Sequence, residues 1–214
     1  KLLVFDSFTT PSAGFELRRQ AEKITGKEVK YLINSHFHGD HVFGNQAFID
    51  TTIISTSLTK KWCKEKNEIA NLEKEIEDTK KYLDYIKTQI EDNQDSVIKD
   101  SLINQFNEMS KVLVDLPHLK IVLPSIVFEE KIIIEGSKRK IVLHSMGGGH
   151  TPSDTFMYLP EEKIAFMGDL VTENLHLPIY NPDDYSSILK KVKELDILTF
   201  VPGHGNVGDI ELLN

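Results

Sequence analysis

Apolar and polar positions first alternate in short runs, then recur at helical spacing, then shorten again. Leu2–Phe5, Val29–Ile33 and the β-branched stretch Thr52–Ile54 read as strands. Phe15–Ile24 has helical spacing, and Gly26 stands where a left-handed stop belongs. From residue 60 to 115 the chain has neither glycine nor proline, and 23 of its 56 residues are charged, the composition of solvated helix faces. Ile69, Leu72, Ile76, Leu83, Ile86 and Ile90 form a heptad-like stripe, broken by the polar cluster at 91–95. Ile98, Leu102, Phe106, Met109 and Leu113 then rebuild an apolar face. The spacing predicts an antiparallel helical hairpin at 58–116, inserted into one α/β domain over 1–214. Such charged faces favour a helix pair packed on its host by one stripe over a dedicated partner-binding arm, and the stripe also offers a surface for a homo-oligomer.

Strand patterns return at 131–135 and 140–144, joined by a turn at 136–138, and at 155–159 and 164–167 around the turn 160–163. Asp183 or Asp184 is placed to cap a helix whose apolar face is Ile188, Leu189, Val192 and Leu195. Ile197–Val201 is the last strand, and no repeat of fixed period occurs.

Composition narrows the function classes. A formal charge of −8 repels a phosphate backbone, so nucleic acid is not an expected partner. No apolar run approaches the roughly 20 residues that span a bilayer. The single cysteine, Cys63, allows neither an intramolecular disulfide nor a CxxC metal site. No signal peptide is visible, and the opening Lys1–Asp6 reads as the middle of a domain from which a leader or first strands have been trimmed. The compartment stays open, with the cytoplasm as the default expectation.

The candidate chemistry is concentrated in histidines. Five of the eight fall in short polar segments just after strand candidates. In Ser35-His36-Phe37-His38-Gly39-Asp40-His41, residues i and i+2 of an extended stretch share a face, so His36 and His38 can meet one ion. The turn at Gly39 lets Asp40 and His41 face a second. Gly147-Gly148-Gly149-His150 with Asp154, Met167-Gly168-Asp169, and Val201-Pro202-Gly203-His204 each add a ligand-capable side chain at a strand's carboxyl end. Imidazole and carboxylate ligands suit zinc, and also manganese or iron. His118 and His144 lie outside every motif, and His176 reads as a plain loop histidine. Asp154 is placed either to fix a ligand imidazole or to cap a turn. Trp62, Tyr82 and Tyr85 could lie over the site but fit packing groups on amphipathic helices better.

HxHxDH followed by GGHTPSD, GDL and PGHG resembles the metallo-β-lactamase-fold hydrolases over almost the whole chain except the helical insertion. The resemblance implies a four-layer αββα sandwich with a two-metal site at one edge of the paired sheets. It implies His36, His38 and His150 as ligands of the first metal, and Asp40, His41 and His204 as ligands of the second. Asp169 matches the carboxylate that bridges both ions, and Asp6 an aspartate that supports the ligand loop without being a ligand. A bridging aspartate is similar to the glyoxalase II, lactonase and phosphodiesterase branches and disfavours β-lactam hydrolysis, although that activity stays an alternative. The insertion resembles, loosely, that of zinc hydrolases associated with quinoprotein and sulfur-oxidation systems.

These readings converge on a zinc-dependent hydrolase with two ions per chain. A shared water of lowered pKa would supply hydroxide to an ester, thioester, lactone or similar bond in a small-molecule substrate. Asp40 would orient the nucleophile or pass its proton to the leaving group. The alternative from another class is a persulfide dioxygenase-like enzyme with one iron on His36, His150 and Asp169.

Overall fold

The computed structural model describes residues 1–173, 175 and 177–213, and it arranges them in two packed sheets with helices outside both. The first sheet is parallel, in the order β1 (Leu2–Phe5), β2 (Val29–Ile33), β3 (Thr52–Thr56), β4 (Ile126–Phe128). Parallel neighbours need crossovers. Helix α1 (Pro11–Thr25) supplies the first, and the short α2 (Gly39–Val42) with a 3₁₀ turn at Phe43–Phe48 supplies the second. The third carries α3 (Ser57–Lys66), α4 (Leu72–Asp92) and α5 (Ser96–Asp115). The second sheet runs β5 (Lys131–Glu135), β6 (Lys140–Ser145), β7 (Thr155–Leu159), β8 (Ile164–Thr172), β9 (Thr199–His204), antiparallel except for the last pair, with α6 (Pro182–Lys193) between β8 and β9.

Side-chain alternation along the strands sorts the core into three layers. On β2, Leu32 packs outward with Val4, Ile53, Phe48 and Leu17 of α1, whereas Ile33 points inward. Inward residues Ile33, Ile54 and Phe128 meet Leu143, Met157 and Leu159 of the second sheet. On β7, Phe156 and Tyr158 face the other way, joining Met167, Phe200, Ile188 and Val192 under α6. Helix, sheet, sheet, helix is the four-layer order that the family resemblance implies.

Local signals explain most boundaries. Thr10 caps α1 by accepting from the Ala13 amide at 3.1 Å, Pro11 opens the helix, and Gly26 ends it at φ 63°. Gly44 permits close packing behind the HxHxDH segment, because a Cβ there would fall 1.8 Å from the Ser7 carbonyl oxygen. One expectation is corrected and two features are added. Asn181, not Asp183 or Asp184, caps α6, accepting from both of their amides. The stripe beginning at Ile69 is not continuous with the helix before it: residues 67–71 are non-helical, Asn67 donates to the Phe37 carbonyl at 2.7 Å, and Asn71 caps α4. β4 was not anticipated, since three residues are too few to show alternation, yet it pairs in register with β3 through Ile54 and Ile126.

Among the described residues, α3 buries Thr59 and Cys63, α4 buries Thr79, Leu83 and Ile86, and α5 buries none fully. Cys63 on α3 is 1% exposed, and burial pushes its thiol up to about 12. The folded protein is therefore expected to leave a thiol-disulfide dye unreacted at pH 8, with one equivalent reacting only in denaturant. Fast labelling of the folded chain would contradict the placement of α3.

Candidate metal centre

All seven residues nominated by the motifs come together at one rim of the sandwich. His36 and His38 follow β2, Asp40 and His41 belong to α2, His150 follows β6, and His204 ends β9. Asp169 departs from the strand-end rule: it lies inside β8, where pairing with β9 is irregular between Phe166 and Thr172. Gly203 makes room for it, because a Cβ there would fall 2.1 Å from Asp169 Oδ1. The glycine before His204 is thus as much a part of the rim as the histidine.

The ligand-type atoms fall into two groups, His36, His38, His150 and Asp169 in one, and Asp40, His41, Asp169 and His204 in the other. Within each group they all lie within 4.8 Å of one another. In the first, His36 Nε2 and His150 Nε2 each stand 3.0 Å from His38 Nδ1. Asp169 Oδ2 is 3.7 Å from His36 Nε2 and 3.5 Å from His150 Nε2. In the second, Asp169 turns its other oxygen, Oδ1, to His41 Nε2 at 3.2 Å and His204 Nε2 at 3.6 Å. Asp40 Oδ2 lies 3.3 Å from His41 Nε2 and 3.1 Å from His204 Nε2. One carboxylate therefore divides its two oxygens between the two groups.

Tautomers make these contacts informative. Ser35 Oγ donates to Asp6 Oδ2 at 2.7 Å, so it can only accept from His36 Nδ1 at 2.9 Å, which places the His36 proton on Nδ1. His150 Nδ1 faces the Pro178 carbonyl at 2.8 Å, an acceptor only, which places its proton there too. Both Nε2 lone pairs are thus aimed at His38 Nδ1, and the single proton that nitrogen can hold satisfies one of them. For a tetrahedral ion with metal–nitrogen distances of about 2.0–2.1 Å, ligand nitrogens stand about 3.3 Å apart, close to these separations. In the second group, His41 Nε2 and Asp169 Oδ1 are buried with no hydrogen-bond partner. A cation fits both groups, three imidazoles and a carboxylate in one, two imidazoles and two carboxylates in the other.

The electrostatics separate the groups. Burial pushes His36 well below the ordinary histidine range, and burial with the neighbouring His150 lowers His38. Those rings are held neutral, the form that ligates. The second group demands positive charge. Asp169 and Asp40 push His204 up to about 9. Burial opposes a charge on His41, but the carboxylates of Asp6, Asp169 and Asp40 outweigh it and raise its pKa well above the ordinary value. Burial alone would raise Asp40 and Asp169 as well, yet their histidine partners hold both well below the usual carboxylate range. Ring protons and a cation compete for the same place.

Supporting groups complete the rim. Asp6, in a left-handed conformation at φ 60°, accepts from His41 Nδ1 at 2.8 Å and from the Ser35 amide at 2.7 Å. Asp154 accepts from the amides of Gly149 and Thr151 and from the Thr151 hydroxyl, and bonds to no imidazole among the described residues, so it caps the loop that carries His150. Beneath the ligand loop, Asn34 and Asn45 bond reciprocally at 3.0 and 2.9 Å, and Ser7 Oγ donates to Asn45 Oδ1. The sequence reading singled out neither this network nor Ser35 nor the Pro178 carbonyl. Ser35 had one usable signal, its place directly before His36. Trp62 of α3 packs edge-on against Phe37 at 4.8 Å between centroids, and Phe37 against His38 at 4.6 Å, so Trp62 borders the first group. Tyr82 and Tyr85 stack on each other on the exposed side of α4, at 6.5 Å. His144, on β6, stacks on Phe156 away from the rim, and His176 lies outside the described residues.

Comparison with known proteins agrees with this geometry. The profile of the metallo-beta-lactamase superfamily matches residues 1–204. The beta-lactamase-like protein 2 homolog of Caenorhabditis elegans is 24% identical over 185 residues, 86% of this chain. The chain spans only 45% of that relative's length. Among solved structures, a metallo-beta-lactamase from Pontibacter korlensis superposes with a TM-score of 0.65 at 18% identity, covering 97% of this chain and 76% of that one. The DIM-1 metallo-beta-lactamase gives 0.64 at 16% identity, covering 99% and 77%. At such identities the structures speak for the fold, and the profile speaks for the family. With its paired sheets, its rim of histidines and aspartates and a profile match over nearly its whole length, the chain belongs to the metallo-beta-lactamase superfamily.

Proposed function

We propose that the protein is a zinc-dependent hydrolase that holds two ions, one in each ligand group, and cleaves an ester, thioester, lactone or similar bond of a small molecule. The observation that carries this reading is Asp169, whose Oδ2 faces the first group and whose Oδ1 faces the second. A one-iron dioxygenase built on His36, His150 and Asp169 would leave Asp40, His41 and His204 without a role. Two divalent cations bound there would polarise a substrate oxygen and bring the pKa of a water towards 7.

The chain's own residues would do the rest. Asp169 is buried, its side chain 2% exposed, which suits a fixed ligand. Asp40 is 35% exposed, and both of its ion pairs use Oδ2. Its Oδ1 is then the group to accept a hydrogen bond from the attacking water, orient it and pass its proton to the leaving group. Phe37 and Trp62 form an apolar wall beside His38, and the Lys66 ammonium lies 5.8 Å from the Trp62 ring centroid. That wall suits an apolar acyl portion.

Elemental analysis of protein purified without added metal or chelator is expected to return about two zinc ions per chain. Asp169→Ala is expected to lower occupancy at both sites and turnover by at least about a hundredfold; a fully loaded, active variant would sink the two-metal reading, and about one iron per chain would replace it. Trp62→Ala should raise KM for aromatic or medium-chain acyl esters several-fold with kcat and metal content kept, as steady-state kinetics would read. The pH dependence has a definite sign. His204 goes from about 6.5 unfolded to about 9 folded, so in chelator-treated protein its contribution is full below pH 6.5 and lost as pH rises through 9. Melting temperature should fall over that range without zinc and hold with it, because metal binding displaces the proton.

A further inference from the structure

We propose that the Ser35 hydroxyl is a positioning group that locks the tautomer of His36, and that through Asp6 Oδ2 it ties the first ligand group to the second. The proposal deepens the two-metal reading and rests on it for its consequence, though not for its geometry. Asp6 Oδ2 accepts twice, from Ser35 Oγ at 2.7 Å and from His41 Nδ1 at 2.8 Å. The Ser35 amide holds the other oxygen at 2.7 Å, so the carboxylate cannot swing. With its proton committed to Asp6, the hydroxyl offers His36 only lone pairs, at 2.9 Å from Nδ1.

The serine and the histidine of this chain are shielded from exchange with water. Ser35 is 1% exposed and His36 fully buried. The alternative His36 tautomer, protonated on Nε2, would bury an unpaired Nδ1 lone pair against the Ser35 oxygen and point its proton at His38 Nδ1, away from any ion. One oxygen atom of Asp6 thus sets the lone-pair direction of His41 directly and of His36 at one remove. The two are not equivalent. Removing the hydroxyl frees His36 alone, whereas removing the carboxylate frees both. Outer hydrogen bonds of this kind usually carry about 10- to 100-fold in metal affinity.

The test has a metal-free arm and a metal arm. In ¹⁵N–¹H long-range spectra of histidine-labelled, metal-free protein, His36 of the wild type should show the Nδ1–H tautomer, and Ser35→Ala should lose it. A wild-type His36 protonated on Nε2 overturns the proposal without any variant. Titration of cobalt(II) followed by visible absorption should then show about 10- to 100-fold weaker binding at one of two sites in Ser35→Ala. Ser35→Thr, which keeps the hydroxyl, should stay within about threefold of wild type and retain the tautomer, while Asp6→Asn should weaken both sites. Equal loss at both sites in Ser35→Ala, no loss, or no rescue by threonine overturns it. If the wild type shows the tautomer but binds no cobalt, the two-metal reading has failed and the consequence for affinity with it, while the tautomer lock stands.

Discussion

Five imidazoles and two carboxylates must share one small, mostly buried volume with their lone pairs converging, and the rest of the architecture accommodates that requirement. Imidazole nitrogens 3.0 Å apart that can share only one proton, and carboxylates facing buried ring nitrogens, are unfavourable neighbours in a low-dielectric setting. They are tolerable when the positions are over-determined from behind and positive charge is supplied in front. The supports behind are specific: Asp6 for His41, Ser35 for His36, the Pro178 carbonyl for His150, and Asp154 for the loop. The site lies at one rim, and its rigidity comes from two sheets packed face to face.

That meeting has a visible joint. The Thr155 amide at the start of β7 donates to the Ser35 carbonyl at 2.8 Å, so the segment bearing His36 is bonded to the second sheet as well as following β2 of the first. The glycine before His204 lets Asp169 project between them. The ligand-type side chains from both halves are held at fixed separation because the inner layer of Ile33, Ile54, Leu143 and Met157 keeps the sheets in register. Packing in the core and geometry at the rim are consequences of the same alternation along the strands.

The clustered side chains were legible in the sequence because six of the seven sit in dense motifs whose spacing is itself chemistry: i and i+2 on an extended backbone, and glycines next to histidines. The four-layer order was legible from the resemblance alone, since strand patterning gave only a mixed α/β chain with a helical insertion. Less legible were features whose partners are distant along the chain. Asp6 and Ser35 are 29 residues apart, and His150 and Pro178 are 28, the latter through a backbone carbonyl that any residue supplies. Patterning also failed where elements were short or interrupted. Ile126 and Val127 are exposed on β4, so only Phe128 marks an interior face. The gap at 67–71 contains no glycine or proline, and its two asparagines end one helix and begin the next.

The crossover between β3 and β4 has a consequence for how the chain folds. Ile54 and Ile126 are partners in a parallel pair although 72 residues separate them, so the first sheet cannot be completed until α3, α4 and α5 are in place or deferred. Lengthening a loop from about a dozen residues to this span adds only about 1.5 kcal/mol of closure entropy, since the cost grows with the logarithm of length. Kinetics pay more attention to such separation than stability does. The first three strands, with α1, carry Asp6, His36, His38, Asp40 and His41, all before the detour begins. Half of the rim can therefore assemble from local contacts, and the detour can lengthen, shorten or diverge without disturbing the half already built.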